Sequence, residues 1–557
     1  MPETTQSAAS TAPQATLRRK LESVSAERDT LRSEQETLKS ERDSYRRLYL
    51  ETLAQVRKLE AGIIGRGRER DLGDPNQISL ALLSMMTGGA VGPVAPEAPA
   101  APEAPAVTNQ VCAHERTKPT GRKPLPENLP RVEIEVLPPE VQARGLDAFE
   151  RIGEDVCEMI ERRRASLVVV RITRPKFVEK DRDLRFAIKV PQAEPLELPL
   201  LRSLAGPGLL ADTIVQRWED HLPLHRLERI YGREGLELPR ATVCDWHLRL
   251  SGLFERLLEA MWKDAFEAPY LCIDATGVLV QDREKCRNAH FFVVASPERH
   301  VLFGYSPKHN AAAVDALLDG YRGTLVADAH AVYDHLYRDG SIVEAGCWAH
   351  VRRYAFKSLG SDPQRARHAL ELIGRLFKLE RTMGTAPPEE KKAIRKREAI
   401  PILDAFEAWC DSESLLVLDE TPISRLIGYA RNHRAALRRF LDDGRVPIHN
   451  NWSERELRRE AVGRKNWLFL GSDEGGQANA TFVSLIASCR LHGLDPAEYL
   501  RDVLCLLPGW NQQRVLELSP LHWRETAARP EVREALAANV FRQVALGERE
   551  PKASGGK

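Results

Sequence analysis

The chain has 557 residues, 43% hydrophobic and 29% charged, and its 81 Lys and Arg against 80 Asp and Glu leave a net charge of +1. That length supplies about three or four domains with ample core, and near-neutrality excludes recognition of nucleic acid through bulk charge, leaving only local patches. Runs such as "SLVVV" and "TFVSLIA" are far too short to span a bilayer, the first twenty residues lack the apolar core of a secretory signal, and the nine cysteines form no CxxC pair. These features predict free thiols, no membrane partner and a cytoplasmic location.

Residues 1–16, rich in Ser, Thr, Ala and Gln, are expected to be disordered. Over 17–61, Leu17, Val24, Leu31, Leu38 and Tyr45 recur at intervals of seven, which keeps one apolar seam toward a partner helix and predicts a coiled-coil dimer. The second seam is poor, because Leu21 is followed in phase by Arg28, Gln35 and Arg42; a single charged helix lying on another domain stays open. Residues 62–130 form a linker. Its Pro/Ala stretch "GGAVGPVAPEAPAAPEAPAV" cannot build a core. The basic "HERTKPTGRKPLPENLPR" is extended, suited to a phosphate backbone or to serving as a plain tether.

Residues 131–195 are expected to form a small β-rich subdomain, with strands at "RVEIEVL" and "SLVVVRITRPKF" around a helix in "FERIGEDVCEMIERRR". Residues 196–262 read as helical. Within them, "LHRLERIYGREGLELPRATVCDWHLRL" has a helix-turn-helix shape, one helix ending near Gly232 to Gly235 and the next starting at Ala241 or Thr242. A major groove would then meet Arg240, Thr242 and His247, although such helix pairs also occur without DNA.

From Pro269 the pattern turns to strands. "YLCIDATGVLVQ", "HFFVVAS" and "HVLFGYS" read as adjacent antiparallel strands. A helix capped by Asn310, a strand in "GTLVADAHAVYDHL" and a strand passing into a helix in "SIVEAGCWAHVRR" follow. Asp274 and Asp328 each sit at the end or in the middle of an apolar strand, where a lone carboxylate is costly to bury. If the two strands lie side by side, both acids reach one sheet end and repel unless a cation such as Mg2+ sits between them; capping of strand-end turns is the alternative. A third acid is sought in "IHNNWSERELRR", where Asn450 or Ser453 caps a helix, Glu454 lies in its first turn and Glu456 points elsewhere. Arg455, Arg458, Arg459, Arg464 and Lys465 give that helix a basic face for phosphates, "GSDEGG" reads as a flexible loop, and "ANATFVSLIASCRLHG" as an apolar helix.

In order, "CIDATGV", "ADAHAVYD", "GCWAHVRR", "NNWSERELRREAVGRKNWLFLGSDEGG" and "SLIASCRLHGLDPAEYL" resemble the long transposase subunit of the insertion-sequence sixty-six family, a DDE transposase, from about Arg116 to Pro508. The resemblance implies a multidomain α/β chain with an RNase H-like core over 263–350 and 440–490, a helical insertion over 351–439 and a C-terminal helical region over 491–557. It implies Asp274, Asp328 and Glu454 as a catalytic, metal-binding triad using Mg2+ or Mn2+ for two-metal phosphoryl transfer. His350 of "CWAH" is either active-site support or a core residue, and Asn451 is a further candidate for support. The implied reaction is hydrolytic cleavage at the ends of a mobile element followed by strand transfer. The implied partners are terminal inverted repeats, target DNA, further copies of the chain and small accessory proteins, with nucleoid association when DNA is bound. A catalytically inactive DNA-binding descendant is the alternative; a nuclease for RNA–DNA hybrids fits the coiled coil and helix-turn-helix less well. Relatives carry cysteine pairs flanking "RIGEDV" and "RPK" that bind zinc. Here both flanks lack them, so no structural zinc is expected and the 131–195 module reads as degenerate. The CxxH pairs Cys244/His247 and Cys347/His350 have no matching second pair, and no P-loop occurs.

Overall fold

The computed structural model describes residues 28, 125–127, 129–163, 166–180, 191–201, 203–283 and 285–549. The expected disordered leader, the coiled coil apart from Arg28, and most of the linker lie outside the described residues. The architecture is mixed α/β, with two sheets and many helices.

The smaller sheet has the order β1-β3-β2, from β1 (Arg131–Glu135), β2 (Phe149–Arg163) and β3 (Ser166–Glu179). The second of these corrects the sequence reading, which expects a helix there. The spacing of Phe149, Ile152, Val156 and Ile160 suits a helical face, but the β-branched run of β3 offers an antiparallel partner along nearly the whole segment. Along β2 only Phe149 at its start and Met159, Ile160 and Glu161 in its last third are buried. Glu161 is enclosed where β2 meets α1 (Pro207–Trp218): its Oε1 accepts from the Arg162 and Leu209 N–H groups at 2.7 and 2.9 Å. The carboxylate lies so close to the helix start that a Cβ at Gly206 or Gly208 would stand 2.2 Å from one of its oxygens. Burial pushes its pKa up to about 8 despite those backbone donors.

Two further helices follow α1, namely α2 (Leu224–Arg233) and α3 (Arg240–Ala265). The turn between them passes through Gly235 with φ +86°, a conformation that favours glycine.

The larger sheet has the order β6-β5-β4-β7-β8, from β4 (Tyr270–Gln281), β5 (Cys286–Ser296), β6 (His300–Ser306), β7 (Gly323–Val326) and β8 (Ile342–Ala345). The first three strands pair antiparallel, while β4 pairs β7, and β7 pairs β8, in parallel. Helix α4 (Ala311–Leu317) bridges β6 to β7, and the Asn310 side chain caps it by accepting from the Ala313 N–H. Both faces of β4 are covered: Leu271 and Ile273 join α4, Val278 and Val280 join α1 to α3, and Cys272 packs toward the later helices. A central strand buried on both faces reads as a near-continuous apolar run, so an acid within it stands out.

After β8 come α5 (Trp348–Lys357), α6 (Pro363–Met383), α7 (Ile400–Glu413) and α8 (Pro422–Asn432), packed around Trp348, Leu376, Leu403, Phe406 and Leu426. Then α9 (Asn451–Trp467) and α10 (Asp473–Leu491) return to the sheet. The "GSDEGG" segment is not a flexible loop. Ser472 caps α10 by accepting from the Gly475 N–H, and Asp473 and Glu474 suit the positive end of the helix. Helix α10 also covers the edge strand: Ser488 Oγ and Ser484 Oγ accept from the Val301 and Phe303 N–H groups at 3.1 and 2.7 Å. Helix α11 (Pro496–Leu506) and shorter helices complete the described chain. No helix among the described residues is long and apolar enough to cross a membrane.

Candidate active site

The parallel register of β4 on β7 sets the geometry of the two aspartates. Cys272 pairs with Val326 as the last matched residues, and Asp274 and Asp328 each lie two residues further on. The pairing therefore brings both carboxylates together just beyond the C-terminal end of β7, beside the middle of β4. Beyond Asp328 the chain turns sharply: Ala329 has φ +59°, a strained value for a residue with a Cβ. The turn is held by the His330 N–H donating to Asp328 Oδ1 at 3.2 Å and by the Tyr429 hydroxyl donating to the Asp328 carbonyl at 3.2 Å. His309 stacks on His290 and meets His330 at a tilt, with ring centroids 4.8 Å apart in both pairs.

Helix α9 is fastened to the same place by Asn450. This residue occupies the cap position but makes no side-chain cap. Instead its Nδ2 donates 2.7 Å to the carbonyl of Ile273, the residue before Asp274, and its N–H donates to Cys347 Sγ at 3.2 Å. Asn450 is fully buried. Further along, the Arg464 guanidinium donates to Thr276 Oγ1 at 2.9 Å and to the Gly277 carbonyl. The helix is thus tied to β4 at two levels, and Glu454 in its first turn faces α5. There the Arg353 guanidinium donates to both Glu454 oxygens at 3.2 and 3.0 Å, and His350 Nε2 lies 3.7 Å from Oε1. Arg353 also approaches His350 Nε2 at 3.2 Å.

Electrostatics place the three acids in one neighbourhood. Burial pushes Asp274 up to about 7, the negative charges of Asp328 and Glu454 add to that, and the Ala275 N–H and Arg353 oppose it. His350 is lowered, by burial first and Arg353 second, with Glu454 and Asp328 acting the other way. The donor chemistry, three carboxylates short of positive charge, fits a hard divalent cation. Among the described residues, however, no group of three or more His, Cys, Asp or Glu side chains is arranged to hold a metal ion; Glu454 is ion-paired with Arg353 instead.

The remaining expected site residues are scattered. Arg240 is exposed at the start of α3 and Thr242 is half-buried. His247 is turned inward, away from any groove: its Nε2 lies 3.1 Å from Thr213 Oγ1, its ring packs on Trp218 and Phe482, and burial lowers its pKa to about 3. The physical reason is that this face of α3 forms part of the main core. Arg455, Arg458 and Lys465 are exposed, as is Asn451. Arg459 bonds Glu219 at 2.6 Å, and Arg464 is used on β4, so both brace α9. Glu456 points away from Glu454, half-buried between Arg455 and Arg459. Glu460 is buried and accepts from Asn479. Trp348 and Cys347 of "CWAH" are core residues, the indole donating to the Leu437 carbonyl at 2.8 Å. Asn450, Arg353 and Tyr429 are organising residues that sequence reasoning missed. Only Asn450 carried a signal, as a helix-cap residue, and that signal pointed to a different role.

Three family models match the chain: "Transposase IS66 family" over residues 202–478, "IS66 C-terminal element" over 484–521, and "Transposase C of IS166 homeodomain" over 51–134. Similar proteins of Sinorhizobium fredii include the uncharacterized protein y4hP, 27% identical over 502 residues, covering 85% of this chain and 89% of the relative. The uncharacterized protein y4qI is 30% identical over 431 residues, covering 73% and 78%. The uncharacterized protein y4jD is 26% identical over 427 residues, covering 72% and 81%.

Proposed function

The chain belongs to the IS66 transposase family, and from that premise we propose that it is a DDE-type DNA transposase whose larger sheet is an RNase H-like catalytic core. Family membership itself supports a role in transposition. The observation that carries the finer reading is the register of β4 on β7, which brings Asp274 and Asp328 together beyond the end of β7, where Asn450 fastens the Glu454 helix.

Asp274, Asp328 and Glu454 would hold Mg2+, with Mn2+ as a substitute, and the ion supplies Lewis-acid activation and charge neutralisation at phosphorus. The proposed reaction has two displacements. Water breaks the phosphodiester at an element end and leaves a 3′-hydroxyl; that hydroxyl oxygen then forms a new P–O bond with target DNA as the target's 3′-oxygen departs. The chain's own contribution is positioning. Asn450 and Arg464 fix α9 against β4, Tyr429 and the Ala329 turn hold Asp328, and exposed Arg455, Arg458 and Lys465 take phosphates. Arg240 and Thr242 at the start of α3 are proposed to meet end DNA, in a multimer working with accessory proteins in the cytoplasm.

The test is a strand-transfer assay with the native element ends and Mg2+, comparing wild type with Glu454→Gln. The expected result is retained DNA binding with cleavage lost. Equal activity in the variant removes Glu454 from the mechanism.

A further inference from the structure

Helix α5 presents one face to the candidate active site and another to solvent. On its inner side Arg353 holds Glu454, and the Tyr354 ring packs 5.3 Å from Tyr429, whose hydroxyl supports the Asp328 turn. Its outer side exposes Arg352, Phe356 and Lys357, with Arg353, half exposed and paired with Glu454, at the border between the two sides. Residues four apart on a helix stand one above the other, so 352 lies over 356 and 353 over 357, a compact patch of three cations around one aromatic ring. The helix, "WAHVRRYAFK", has no acidic residue. Among the described residues neither Arg352 nor Lys357 has an ion-pair partner. Phe356 is 45% exposed, so its ring is open to a ligand beside those cations.

Cations alone suit the backbone of any nucleic acid. The ring adds information, because a phenyl face offers nothing to phosphate but stacks on a base, and a base face is available only once it has left its neighbours. We propose that this α5 patch binds the DNA strand beside the cleaved bond with one base unpaired and stacked on Phe356, while Arg352 and Lys357 hold the flanking phosphates. The proposal rests on the transposase reading and adds the state of the substrate: an end whose last base pairs are opened rather than intact duplex.

The experiment uses the full chain in Ca2+ and two DNAs carrying the element end, one fully paired and one with the terminal pairs mismatched, each with 2-aminopurine beside the cleavage position. Wild type is expected to bind the mismatched end more tightly and to quench its 2-aminopurine. Phe356→Ala loses about tenfold in affinity for that DNA, the worth of one base stack, and loses the quench, whereas Phe356→Trp keeps both. Arg352→Ala and Lys357→Ala weaken both DNAs alike and flatten the salt dependence. Phe356→Ala binding and quenching like wild type overturns the stacking proposal and leaves the transposase reading standing. Failure of wild type to bind either DNA overturns both.

Discussion

Asp274 is the sharpest test of whether three carboxylates share one neighbourhood. Its pKa is pushed from 3.8 up to about 7, so the folded protein keeps a proton that the unfolded chain has already released. For an acid shifted upward, stability falls as pH rises from about 4 to about 7 and stays at the lower plateau above that. At about 1.4 kcal/mol per pKa unit, the shift sets a ceiling of about 4 kcal/mol, and partial exposure of the group reduces it to about 2–4 kcal/mol. Asp274→Asn keeps the shape and removes the charge. In chelator, the variant should come close to wild type near pH 4, at the unfolded-state value, and exceed it at pH 8. For a unit the size of Pro119–Lys557, an unfolding entropy of about 2.1 cal/mol/K per residue makes that a rise of about 2–4 °C in Tm. Thermal melts at both pH values give the answer, and adding Mg2+ at pH 8 should stabilise wild type while leaving the variant nearly unmoved. A difference in Tm that does not change with pH would refute the reasoning, since it would mean that Asp274 ionises in the folded chain as easily as in the unfolded one.

Three further outcomes follow from individual contacts. Asn450→Ala strips the donor from the buried Ile273 carbonyl and should cost about 1–3 kcal/mol in denaturant melts, with a larger fall in strand-transfer rate than in DNA affinity because Glu454 loses its anchor. Glu161→Gln should gain on wild type as pH rises from 5 to 9, because the wild-type carboxyl, held near 8 by burial, must ionise in an enclosed site; a pH-independent difference would contradict the burial argument. Ser484→Ala leaves the Phe303 N–H of the edge strand without its partner and should cost about 1–3 kcal/mol, read by the same melts.

What could be read in advance was set by local chemistry. Apolar runs closed by a single acid marked β4 and β7, and the short spacing of the first three strands announced their antiparallel order. The Asn310 cap and the Gly235 turn placed helix boundaries for the same reason. What could not be read depended on partners distant in the chain. The β2 segment spaces its apolar residues as a helix would, and only the long β3 strand decides otherwise. His247 faces the core because Phe482, over two hundred residues later, packs on it. Asn450 looked like a cap, yet its side chain spans to β4 instead. The Glu454 helix was legible from its acids and arginines, but the role of Arg353 was not, because an arginine in a basic run gives no sign that a carboxylate a hundred residues on will claim it.

That arginine links the two halves of the proposal. Without a cation, the three acids are compensated separately: burial and repulsion keep a proton on Asp274, the His330 N–H serves Asp328, and Arg353 serves Glu454. If Glu454 is to act with the two aspartates, Arg353 must let go, and the outer face of α5 then has its third cation free for phosphate. Divalent ion and DNA strand should therefore bind with positive coupling, and each must strengthen the other by the same factor. Arg353 is half exposed, so its pair with Glu454 is worth about 0.2–1 kcal/mol and the coupling about 1.4- to fivefold. Titrating end DNA with and without Ca2+ measures it in wild type. In Arg353→Gln the coupling should fall toward one, with Ca2+ affinity in the absence of DNA raised rather than lowered. Wild-type coupling surviving intact in that variant would mean that the Arg353–Glu454 pair does not stand between the metal-free and loaded arrangements of the site.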